Sequence, residues 1–103
     1  MAHIDEHDAG RDTGLAVGDT LELCLSENPT TGYRWYMEWS GEPVSTALDD
    51  TYEPSADRPG SGGRHCWRFQ AVRTGRATLT ARSHRHWEQG ESQTLTFAVR
   101  VTA

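Results

Sequence analysis

The sequence predicts an all-β protein built as an antiparallel β-sandwich. Two observations carry that expectation. Apolar residues recur at every second position in five stretches, and no 3.6-residue period is sustained anywhere. Short glycine-bearing clusters separate the stretches. Strands with one buried face and few helices pack as two layered sheets. Parallel βαβ units are not expected, because no connecting segment carries the helical pattern of a crossover.

The elements follow in order. Ile4 opens an edge strand, and Asp8 to Arg11 (DAGR) turns the chain. Leu15 and Val17 belong to a short second strand that ends in the turn VGDT. Leu21, Leu23 and Leu25 alternate with polar residues, as do Tyr33, Trp35 and Met37. Glu42 to Pro59 is the least regular stretch, with three prolines and many acidic residues; Val44 to Leu48 is read as one helical turn at most. His65, Trp67, Phe69 and Ala71 form the next set. The turn RTGR leads to Ala77, Leu79 and Ala81. Leu95, Phe97, Val99 and Val101 close the chain with the cleanest alternation.

A chain of 103 residues suffices for one domain and is too short for two, so residues 1–103 are read as a single domain. The formal net charge of −5 argues against a nucleic-acid partner, which needs a basic patch. Arg73, Arg76, Arg82 and Arg85 are scattered and read as solvated strand faces. No run approaches the ~18 apolar residues of a membrane span. The start, MAHIDEHDAGRD, lacks the basic and apolar regions of a signal peptide. A cytoplasmic chain is therefore expected as it stands, and a periplasmic or secreted one if a leader has been removed. No cofactor is implied, and nothing suggests an obligate dimer, so the free chain is expected to be a monomer.

Cys24 shares a strand face with Glu22 and Ser26, and Cys66 shares one with Arg68. Both read as outward-facing free thiols; a cross-strand disulfide is the alternative and demands strict geometry. His84 and His86 share a face, but no third ligand accompanies them, so no metal site is expected.

Three loops are chemically unusual. Asn28 to Tyr33 reads NPTTGY. Pro29 fixes its own φ and pushes Asn28 toward extended backbone. Thr30 and Thr31 are stiff at χ1. Gly32 permits a positive φ or a close approach. Such a loop loses little freedom on binding. The second loop, Pro59 to Arg64, carries Gly60, Ser61, Gly62 and Gly63; it lacks the lysine of a phosphate-binding loop, and a strand rather than a helix follows. The third, Ser83 to Gly90, presents Arg85, His86 and Trp87, and an exposed Trp beside an Arg is a typical binding anchor.

NPTTGYRW, then GSGG, then RHW, in this order in a small β-protein, closely resembles the chagasin family of protein inhibitors of papain-like (clan CA, family C1) cysteine peptidases. The resemblance runs from about VGDTLEL to FAVRV. The first motif is highly specific, GSGG alone is weak, and RHW is a partial match to the family's RPW, with His86 in the place of proline. The resemblance implies an immunoglobulin-like sandwich with three binding loops at one end. It implies a reversible, non-covalent inhibitor and not an enzyme. Asn28, Pro29, Thr30, Thr31 and Gly32 would lie over the peptidase's catalytic cysteine, with Tyr33 also among the peptidase-binding residues. Gly60 to Gly63 and Arg85, His86 and Trp87 would grip the cleft on either side. Two rival readings stand beside it. One is a small hydrolase using Cys24 with His65 or His84. The other is a carbohydrate-binding or adhesion sandwich using Trp87 and Trp39.

Overall fold

Alternation becomes strand wherever one face can be buried. The computed structural model of the chain describes residues 1–27, 33–54, 62–85 and 93–103, with the backbone alone at Tyr33, His84 and Arg85. Its strands are β1 (Ala2–Asp5), β2 (Asp12–Ala16), β3 (Thr20–Glu27), β4 (Tyr33–Gly41), β5 (Ser45–Pro54), β6 (Gly63–Ala71), β7 (Gly75–Arg85) and β8 (Gln93–Thr102). They form two four-stranded sheets, ordered β1-β3-β6-β5 and β2-β8-β7-β4. Among the described residues, no helix is long and apolar enough to cross a membrane.

The inward positions make one core. Leu21, Leu23 and Leu25 of β3 face Leu79 and Ala81 of β7 and Phe97, Val99 and Val101 of β8, all buried. Phe69 and Ala71 of β6 join them, and Trp39 closes on Phe69 edge-to-face at 5.3 Å between ring centroids. Each fully buried Leu or Phe contributes about 1.5–3 kcal/mol of transfer free energy. Trp39 is therefore part of the packing and not an exposed platform for a sugar, which removes one of the two anchors of the carbohydrate-binding reading.

The antiparallel expectation holds for the body of the sandwich and fails at its N-terminal edge. β1 pairs with β3, and β2 with β8, in parallel. A single 3-10 turn, Glu6–Asp8, carries the chain from one sheet to the other. Asp5 caps it by accepting from the His7 backbone N–H at 2.8 Å, and this bond holds the Asp5 carboxyl below its ordinary value. The return from β1 to its neighbour β3 thus runs through β2 in the opposite sheet, which serves as the crossover without a helix.

Residues 45–54, expected to be irregular, form β5. It is an edge strand with β6 as its sole neighbour among the described residues and solvent over most of its length. Such a strand needs no apolar alternation, and Asp49, Asp50, Glu53 and Pro54 discourage pairing with another chain. A register shift between Ala47 and Asp49 leaves Leu48 unpaired and 47% exposed. Arg68 then grips Asp49 with its Nε at 2.7 Å from Oδ1, and the guanidinium holds that carboxyl below its ordinary value.

The expectation of free thiols is overturned. Cys24 and Cys66 are direct register partners on β3 and β6, with Cα atoms 4.1 Å apart, and form a disulfide. Alternation placed both on the outer face correctly. It carries no information on which residue of one strand stands opposite which residue of another. The bond also disposes of Cys24 as a nucleophile, and His65 points to the opposite, inward face.

The loop end of the sandwich as candidate functional site

Strand register gathers the three unusual loops. Glu27, the last residue of β3, pairs with Gly63, the first of β6, and Gly63 pairs in turn with Pro54, the last of β5. The stems of segments 28–32 and 55–61 are therefore adjacent. On the facing sheet Tyr33 pairs with Arg85, and Ser83 with Gln93, so segment 86–92 springs from the same end. Of the residues expected to bind a partner, Asn28, Pro29, Thr30, Thr31, Gly32, Gly60, Ser61, His86 and Trp87 lie outside the described residues. Tyr33, Gly62, Gly63 and Arg85 stand on the stems.

The first loop bridges the two sheets, and its stems are tied twice. The Trp35 backbone N–H, on edge strand β4, donates to Glu27 Oε2 at 2.9 Å. The Trp35 indole Nε1–H donates to the Ser26 carbonyl at 2.8 Å. An edge-strand N–H that no neighbouring strand takes is thus satisfied across the sandwich. Both bonds hold β3 and β4 together at the point where the loop leaves and returns.

Glu27 has a second partner. Its side chain is 3% exposed, and Oε1 lies 3.0 Å from His65 Nδ1 on β6. His65 Nε2 lies 2.6 Å from Asp50 Oδ2 on β5. The imidazole stacks on Trp67 with centroids 3.9 Å apart and 9° between planes, and Tyr52 meets it edge-on at 6.3 Å. The Tyr52 hydroxyl donates to the Glu27 carbonyl at 3.4 Å. A carboxylate, an imidazole and a second carboxylate thus form a chain beneath the first two loops.

Glu27 did not emerge from the sequence as a functional residue. One signal was present. It occupies the inward position after Leu21, Leu23 and Leu25, where a charge demands a partner. His65 holds the matching inward position at the start of its own set.

The second loop returns through two glycines. Gly62 has φ 85°, in the left-handed region that favours glycine. At Gly63 a Cβ would stand 2.1 Å from the Glu53 carbonyl oxygen and 2.7 Å from Pro54 Cα, both backbone atoms. This glycine is therefore required by the close approach of β5 and β6, whatever the loop binds. Gly63→Ala is expected to cost about 1–3 kcal/mol by forcing that backbone apart, read as a lowered melting temperature; an unchanged value would show that the strands separate freely.

A family model described as Chagasin family peptidase inhibitor I42 matches residues 14–101. Chagasin of Trypanosoma cruzi is 26% identical over 109 residues, covering 100% of this chain and 99% of that protein. The crystal structure of the cysteine protease inhibitor EhICP2 from Entamoeba histolytica is similar with a TM-score of 0.84 at 20% identity, over 98% of this chain and 94% of that one. PbICP-C in complex with falcipain-2 is similar with a TM-score of 0.64 at 16% identity, over 99% and 98% of the two chains. These structural likenesses speak for the fold; the family match spans all three loops. The chain belongs to the chagasin family of peptidase inhibitors and is an inhibitor rather than an enzyme.

Proposed function

We propose that this chain, as a single domain, is a reversible, non-covalent inhibitor of papain-like cysteine peptidases that works by occluding the active-site cleft. The observation that carries the proposal is the register pairing of Glu27 with Gly63 and of Tyr33 with Arg85, which places the stems of all three motif-bearing loops at one end. That falcipain-2, a papain-like cysteine protease, sits with PbICP-C supports the target class. Asn28 to Gly32 supply the wedge over the catalytic cysteine, and Tyr33 anchors its return. Gly60, Ser61, Gly62 and Gly63 supply one flank; Arg85, His86 and Trp87 supply the other. Inhibition needs no cofactor, metal or chemistry from this chain. The contact is of standard size, about 800 Å² per partner.

Trp87 is the expected anchor of the third loop, because a rigid aromatic that fills a desolvated pocket dominates binding energy. Trp87→Ala is expected to weaken papain inhibition by about 2 kcal/mol or more, some thirtyfold, without loss of fold. An unchanged inhibition constant in a folded variant would remove the third loop from the interface. The Cys24–Cys66 bond further supports the periplasmic or secreted location over the cytoplasmic one, since such bonds persist in oxidising compartments. Thiol alkylation of the chain in its native cells tests this; quantitative labelling of both cysteines would place it in a reducing compartment.

A further inference from the structure

The chain Glu27–His65–Asp50 does more than fill the end of the core. Through Trp35 N–H and the imidazole, one buried carboxylate joins β3, β4 and β6, and Asp50 extends the link to β5. These four strands carry both stems of segment 28–32 and both stems of segment 55–61. The described stems of the two segments are therefore tied to one another at Glu27 and His65.

The imidazole stands between two carboxylates. A neutral ring donates from one nitrogen and presents a lone pair at the other; donation to both oxygens needs the imidazolium. Among the described residues, the charged or titratable groups that face the ring are Glu27 from β3 and Asp50 and Tyr52 from β5. On β6 itself Trp67 lies flat against it, a favourable neighbour for a cation, and β4 contributes the Trp35 N–H to Glu27. Arg64, the adjacent cation on β6, instead reaches the Cys24 carbonyl at 3.2 Å on the outer face.

We propose that Glu27, bridged through His65 to Asp50, is a positioning device that sets the spacing of the stems of the first two loops for the target peptidase, and that its grip is complete only while both ring nitrogens of His65 carry protons. The proposal rests on the inhibitory reading above. It makes the inhibitor sensitive to pH through a residue that lies beneath the loops and not on them. A ring that gives up one of its two protons can donate to only one of the two carboxylates, and the stems loosen.

The test compares wild type, His65→Phe and Asp50→Asn as inhibitors of papain from about pH 5 to about pH 8.5, a window that brackets imidazole titration. The ratio of variant to wild-type inhibition constants at each pH cancels the peptidase's own titrations. For His65→Phe, which keeps an aromatic ring against Trp67, the ratio is expected to be about tenfold at the acid end, as for lost charge-assisted hydrogen bonds. It should fall to about twofold at the alkaline end. Asp50→Asn, at an exposed carboxylate, should show a smaller ratio with the same slope. A ratio constant with pH, or near one throughout, would reduce His65 to a packing residue and overturn the proposal.

Amide NMR of the free chain provides a second arm that needs no peptidase. The resonances of the stem residues Glu27, Trp35, Gly62 and Gly63 should shift together with those of the His65 ring as pH is varied in the wild type, and should shift less in Asp50→Asn, which lacks the second carboxylate. Immobile stem resonances in the wild type would overturn the proposal. Should wild type fail to inhibit papain at every pH, the inhibitory reading fails by itself, and the free-chain shifts still decide the positioning device. Should His65→Phe fail to fold, Asp50→Asn and the NMR arm decide it.

Discussion

Reduction of the Cys24–Cys66 disulfide will lower the melting temperature by about 10 °C or more. The two cysteines are 42 positions apart in sequence, so the bond removes much of the freedom of the unfolded chain between them. On the chain-entropy account a loop of this size corresponds to about 4 kcal/mol, and removal of such bonds from small domains typically costs 2–5 kcal/mol. In a domain of about 100 residues each kcal/mol moves the midpoint by about 4–8 °C. The fold itself should persist, because the inward faces of β3 and β6 keep their buried leucines and Phe69. Calorimetry with and without reductant, repeated on the Cys24→Ser, Cys66→Ser double variant, checks this. The reading of the cysteines as free thiols, which alternation alone suggests, requires the opposite result: a midpoint indifferent to reductant.

Glu27→Ala is expected to destabilise the protein by about 3 kcal/mol. The side chain is nearly completely buried and serves two partners on two other strands. Its removal leaves the Trp35 N–H without an acceptor and the Nδ1 side of His65 facing a void. A buried polar group deprived of its partner costs about 1–3 kcal/mol, and Glu27 serves two such groups. His65 keeps its contact with the exposed Asp50, so the loss is that of about one fully orphaned group rather than two. Denaturant unfolding measures the loss. A change below about 0.5 kcal/mol, the ordinary range for surface substitutions, would show that water replaces the carboxylate without penalty.

Much of the sandwich was legible because alternation is a local signal. The inward residues of β3 and β7, and Phe97, Val99 and Val101 of β8, stand buried where period two placed them, while Leu95 is half-buried; the glycine-bearing turns separate the strands as expected. What stayed hidden depends on relations between distant strands. β5 shows no alternation because solvent covers most of it. The parallel pairings of β1 and β2 arise from a switch between sheets that no periodicity announces. The disulfide and the Glu27–His65 contact both rest on the β3–β6 register, in which Cys24 meets Cys66 and Glu27 meets Gly63. One slip of register would have turned each pair apart. The loops reverse the pattern. Their chemistry was readable from NPTTGY, GSGG and RHW, while their common location emerged only from the pairing of their stems.

The most direct measurement is a titration of papain at fixed concentration with the folded chain. Activity should fall in proportion to added inhibitor, reach its floor near one equivalent, and return on dilution. Trypsin, whose cleft has a different shape and a serine nucleophile, should keep its full activity in the same titration. Full papain activity in a large molar excess of folded chain would contradict the account.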